Sequence, residues 1–128
     1  MKWQTAMIIG AGGCCGAISR AYIGQVVSSK LSHPLPLGTL SVNLIGSLIM
    51  GILMGLALHS TYLSSSWKSF LTTGFLGALT TYSSFAIESI LLIEGGMYLW
   101  AGLNIVINVI GTITMAGGGY FLVSFLMK

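Results

Sequence analysis

Apolar residues fall into four runs along the chain, at about residues 3–27, 37–59, 69–93 and 97–127. A helix needs about 20 mostly apolar residues to cross a bilayer. Each run therefore predicts one spanning helix. The connectors "SSKLSHPLP", "STYLSSSWK" and "EGG" are too short to hold a soluble domain, so the chain reads as one four-helix transmembrane domain. The first run follows Lys2 and imitates a signal peptide. Its small residues continue into "GAISRAYIG" without a clean cut, which makes it a span instead.

Polar positions inside the runs are not scattered. Thr39, Asn43 and Ser47 fall at i, i+4 and i+8 of the second helix, and Asn104, Asn108 and Thr112 do the same on the fourth. On the third, Thr81, Ser84 and Glu88 fall at i, i+3 and i+7, while Tyr82, Phe85 and Ser89 occupy the neighbouring face. Residues at those spacings share a helix face, so three helices each carry a hydrogen-bonding stripe. Single Ser, Thr or Asn residues often serve only to join membrane helices. Three stripes together read better as a polar pathway. Its groups are mostly neutral donors: amide N–H, hydroxyl O–H and the positive edge of the Phe85 ring. A cation path would more naturally be lined with carboxylates or carbonyls. A small, strongly hydrated anion fits the donors.

"GALTTYSSFAIES" (77–89) raises a second expectation. Gly74 and Gly77 precede two threonines, which predicts a third helix broken near its middle. Backbone carbonyls freed at mid-membrane are tolerated where protein buries them or an ion uses them. Small residues at four-residue spacing, Gly12/Gly16 and Ser47/Gly51/Gly55, predict close helix contacts, as does Gly117-Gly118-Gly119.

Charge adds orientation. Only 5% of residues are charged, with 55% hydrophobic and a mean hydropathy of +0.94. A soluble surface carries about 25% charged residues, so the class is integral membrane. The net charge of +3 is five bases, Lys2, Arg20, Lys30, Lys68 and Lys128, less the two acids Glu88 and Glu94; the bases are separated and form no nucleic-acid patch. Lys2, Lys68 and Lys128 fall on one side of a four-span topology, against Lys30 and Arg20 near the other. That bias is weak for the positive-inside rule, and it permits insertion both ways up. One stripe per helix hardly encloses a pore in a single chain. An antiparallel dimer could. Arg20 and Glu88 are the charges inside the helices and suit water-filled mouths. Cys14 and Cys15 are adjacent and read as small packing residues, not a disulfide.

At this point "GGCCGAISR" (12–20), "GTLSVNLIGSLIMG" (38–51) and "GFLGALTTYSSF" (74–85) are distinctive in order and spacing. The chain resembles the Fluc/CrcB family of small fluoride channels along nearly its whole length. The resemblance implies a dual-topology antiparallel homodimer in the cell (inner) membrane, with two pores through which fluoride leaves the cytoplasm passively. It implies that Asn43 donates to fluoride, with the Phe85 ring edge and the Ser84 hydroxyl on the same path. It places the carbonyls of Gly77 and Thr80, from both subunits, around a structural sodium ion. Arg20 matches the motif arginine near the vestibule, and Asn108 and Thr112 fall on the polar track of the fourth helix. Tyr82 departs from the family's usual phenylalanine, Ser84 replaces threonine, and Ala21 separates Arg20 from Tyr22.

Other classes fit less well. A small multidrug-type proton-coupled transporter needs a carboxylate embedded in its first helix, and none is there. A hydrolase needs a serine within reach of a histidine, yet His33 and His59 fall at helix ends, away from the serine-rich stretch. A helper subunit would show no flux by itself.

Overall fold

The computed structural model describes residues Met1–Lys128. Every regular element is helical, and four helices are long and apolar enough to span a membrane: Trp3–Lys30, Leu37–His59, Ser65–Glu94 and Tyr98–Leu126. At 1.5 Å per residue the first is about 42 Å long. It therefore outreaches a hydrocarbon core of about 30 Å and ends among headgroups.

Local chemistry sets the ends. Ser64 caps the third span, its hydroxyl accepting from the Trp67 N–H at 3.3 Å. That cap starts the helix a turn before the apolar run does. Between the third and fourth spans, Gly96 takes φ +76°, a conformation that glycine adopts without strain. The turn is closed by Met97 N–H donating to the Leu92 carbonyl at 2.9 Å.

Two spans are not uniform. Ser69–Leu76 and Ile107–Gly111 are wound as π-helix. Such winding inserts residues into the normal repeat and often marks functional positions. In the third span the helical turn Gly77–Leu79 is followed by Thr80 at φ −82°, ψ 153° and Thr81 at φ −147°, ψ 112°. Both are extended. Helix resumes at Tyr82 and continues to Glu94.

The first span packs on the π-wound half of the third, and the second packs most extensively on the last half of the fourth. Glycines make both approaches possible. A Cβ on Gly12 or Gly16 would collide with the carbonyls of Phe70 or Phe75, and one on Gly51 with that of Ala116. A Cβ on Gly119 would likewise meet the Leu48 carbonyl, but Gly117 and Gly118 face open space. The expected three-glycine contact thus reduces to one, because only every third or fourth residue of a helix faces its neighbour. Cys14 and Cys15 are free and point outward, so they do not pack inside the chain.

The apolar core is small: Val42, Leu76 and Leu79, with Ile23, Ile49, Met50, Leu53 and Phe75 around them. Only 23 of 128 residues are buried. Most large apolar side chains therefore face outward, where lipid or protein must cover them.

Candidate functional site

The extended residues Thr80 and Thr81 place two helix ends of opposite polarity in the middle of the third span. A helix leaves its first N–H groups and its last C=O groups without intrahelical partners. Around this point the first half presents carbonyls, from Gly77 onward. The second half, beginning at Tyr82, presents N–H groups and the positive end of its dipole. Thr81 caps that second half: its hydroxyl accepts from the Ser84 N–H at 3.2 Å and donates to the Ser84 hydroxyl oxygen at 3.0 Å. The Ser84 hydroxyl proton is left for another acceptor.

Asn43, from the second span, binds the interruption from across the helix interface. Its Oδ1 accepts from the Thr81 N–H at 2.8 Å, and its Nδ2 donates to the Thr81 carbonyl at 3.1 Å. The buried backbone of Thr81 is thereby satisfied by a single side chain, which matters where no water is available. The same Nδ2 donates to Asn108 Oδ1 of the fourth span at 3.0 Å. Asn108 Nδ2 donates to the carbonyl and to Oδ1 of Asn104, both at 2.9 Å. Asn104 Nδ2 donates to Ser89 Oγ at 2.9 Å, and Ser89 donates to the Phe85 carbonyl at 2.8 Å. The amide orientations are those that satisfy every member of this line.

The three stripes therefore meet in one seam. Asn43, Asn108 and Thr81 form its centre, all buried, and Asn104 is fully enclosed at 0% exposure. The sequence pattern puts Asn104 and Ser89 on the polar faces but assigns neither an individual role on the path. Their signal was present, since Asn104 lies one turn before Asn108 and Ser89 one turn after Phe85. The seam opens on a cavity of about 460 Å³, lined by Asn43, Ser47, Thr80, Thr81, Tyr82, Phe85, Asn108 and Thr112 among others. Phe85 is buried. Tyr82 is 77% exposed, its ring packed edge-on against Phe85 with centroids 5.2 Å apart. Thr112 lines the cavity with its hydroxyl turned back to the Asn108 carbonyl of its own helix.

The charged candidates lie away from the centre. Glu88 Oε1 accepts from the Thr39 hydroxyl at 2.6 Å, one turn from Asn43, while its Oε2 is buried without a partner. Arg20 is half-buried on the first span and takes no part in this network. Gly77 is exposed and Thr80 half-buried, so their carbonyl-bearing turn lies toward the outside of a single chain.

Neither histidine approaches the seam. His33 Nδ1 accepts from the Leu35 N–H at 3.0 Å, and its ring meets Trp100 edge-on. His59 Nε2 lies 2.9 Å from the Ser124 hydroxyl, which itself donates to the Tyr120 carbonyl at 2.9 Å. A serine whose proton is held by a backbone carbonyl is not being activated as a nucleophile.

These features define a multi-pass membrane protein with a buried polar seam across three of its spans. The model of the family described as CrcB-like protein, Camphor Resistance (CrcB), matches residues 7–120, and the chain belongs to that family. It is 52% identical over 128 residues to a protein of Sulfurimonas denitrificans named fluoride-specific ion channel FluC, covering 100% of this chain and 99% of that one. A protein of the same name from Nautilia profundicola is 48% identical over 94% of each chain. Another from Pyrococcus abyssi is 42% identical over 95% of this chain and 98% of its own.

Proposed function

We propose that this chain is a fluoride-specific channel of the inner membrane that conducts fluoride passively out of the cytoplasm along the seam. The observation that carries the reading is the convergence of anion-attracting groups on one cavity between the spans. These are the Asn43 amide, whose hydrogens an anion reaches by displacing their present acceptors, the Phe85 ring and the N-terminal end of the helix that begins at Tyr82; the free Ser84 hydroxyl proton lies in the first turn of that helix. Full-length relatives named as fluoride-specific channels support the same substrate.

The physical problem for such a channel is dehydration. Fluoride gives up water only where donors replace it, and neutral donors do so without trapping the ion as a fixed positive charge would. Amide and hydroxyl hydrogens supply directed bonds, and an aromatic edge supplies a weaker positive surface. Asn108 and Thr112 continue the track on the fourth span. Arg20 and Glu88 belong to its mouths, where Arg20 would draw anions toward the entrance.

A single chain leaves its cavity open on one side and much apolar surface outward. The reading therefore includes a second copy of the chain, inserted antiparallel and giving two pores, as the weak charge bias permits. It also includes a structural sodium ion. The donor set at Gly77 and Thr80 fits, since both residues sit at the carbonyl end of a helix and hard cations prefer oxygen ligands. Two carbonyls do not complete a cation's shell. Paired turns from both subunits would supply four. Bound there, the ion would neutralise facing carbonyl dipoles at the centre of the dimer.

The test is growth. A bacterial strain lacking its own fluoride exporter should grow in millimolar-range fluoride when it expresses this chain, and should fail with Asn43→Asp. A folded, membrane-inserted protein that gives no resistance would contradict the reading.

A further inference from the structure

The chain has three asparagines, and all three lie in the seam. Their hydrogen bonds leave Asn43 with nothing to offer an anion. Its two amide hydrogens go to the Thr81 carbonyl and to Asn108 Oδ1, and its oxygen takes the Thr81 N–H. A fluoride ion can reach an Asn43 hydrogen only by replacing one of those acceptors. The Thr81 carbonyl belongs to a pair of reciprocal bonds between Asn43 and Thr81. Asn108 Oδ1 is on a side chain, and Asn108 lines the cavity.

Asn108 presents oxygen, not nitrogen, for a reason that starts elsewhere. The Phe85 carbonyl takes the Ser89 proton, which leaves Ser89 Oγ as the acceptor for Asn104 Nδ2. Asn104 Oδ1 and its carbonyl then hold Asn108 Nδ2, so Asn108 Oδ1 faces Asn43. Reversing any one amide would set N–H against N–H in a buried place, which is strongly unfavourable.

We propose that Asn108 Oδ1 is an internal acceptor that holds the anion's place at Asn43, and that Asn104, through Ser89, is the positioning residue that aims it. The inference rests on the fluoride reading above. Between ions Asn43 then presents no bare donor. A passing anion exchanges one bond for another, so it is bound less tightly than by a free amide. Weak binding favours release at the far side.

The test uses full-length protein labelled with nitrogen-15 asparagine in nanodiscs, which gives three side-chain NH₂ pairs. Sodium fluoride should shift the Asn43 and Asn108 pairs together and leave the Asn104 pair in place, while sodium chloride moves none. In liposomes, Asn104→Leu should lower the half-saturating fluoride concentration by about five-fold, since one neutral hydrogen bond no longer competes as well. A purely structural Asn104 would lower flux and thermal stability with half-saturation unchanged, and that result overturns the proposal. If Asn104→Leu does not fold, the wild-type titration decides alone. Fluoride flux with an unmoved Asn108 pair overturns this inference and leaves the channel standing. Absence of flux from the wild type removes the channel reading, and the inference with it.

Discussion

Asn43→Ala removes three hydrogen bonds at once: those to the Thr81 N–H, the Thr81 carbonyl and Asn108 Oδ1. Side-chain hydrogen bonds between membrane helices average about 0.6 kcal/mol each and reach about 1.7. Three of them set a floor near 2 kcal/mol. The Thr81 N–H and carbonyl are left buried without partners, and unsatisfied buried groups add about 1–3 kcal/mol. The substitution should therefore destabilise the fold by about 3–5 kcal/mol. Thr112→Val is the control, because the Thr112 hydroxyl bonds only to its own helix. It should change stability by less than about 1 kcal/mol. Reversible unfolding in a denaturing-detergent titration, followed by helical circular dichroism, measures both. If Asn43→Ala loses under about 1 kcal/mol, or no more than Thr112→Val, the amide does not hold the interrupted helix and the reasoning fails.

Gly12→Val or Gly16→Val should abolish a monodisperse folded species on size-exclusion chromatography, since the new side chain meets the carbonyls of Phe70 or Phe75; Gly118→Ala should leave folding intact. Thr39→Val leaves both Glu88 oxygens without a donor and should lower the melting temperature, with Thr39→Ser restoring it. Phe85→Ile should slow fluoride efflux in liposomes with folding retained. Tyr82→Phe should leave stability within about 0.5 kcal/mol, because Tyr82 is largely exposed in the single chain. Replacing sodium by a large organic cation during purification should favour monomer over dimer in light scattering, whereas an unchanged dimer would argue against the sodium site.

Much of the architecture was legible because hydrocarbon leaves a chain few choices. Four apolar runs predict four helices, and polar residues four apart must share a face. Asn43 and Asn108 were identified on those grounds. What a pattern along one helix cannot give is its rotation against the next. Asn43 and Asn108 are 65 positions apart, and whether they touch depends on the packing of the second span against the fourth. The π-wound stretch Ile107–Gly111 changes the repeat where the stripes converge, and Ser69–Leu76 changes it ahead of the interruption; no local residue pattern announces either. For the same reason the pattern makes Asn104 one more member of a stripe and does not show that it is fully enclosed, joining Asn108 to Ser89. The three-glycine run predicts contacts at Gly117 and Gly118, but their side of the helix faces outward.

The central claim is that this chain passes fluoride along the Asn43 seam. The most direct measurement is ion efflux from liposomes holding purified protein, with a fluoride electrode for one ion and chloride-loaded liposomes for the other. The account expects rapid fluoride loss with chloride retained, and strong slowing by Asn43→Asp in protein that remains folded. Folded wild-type protein that releases no fluoride, or releases chloride equally fast, would contradict it.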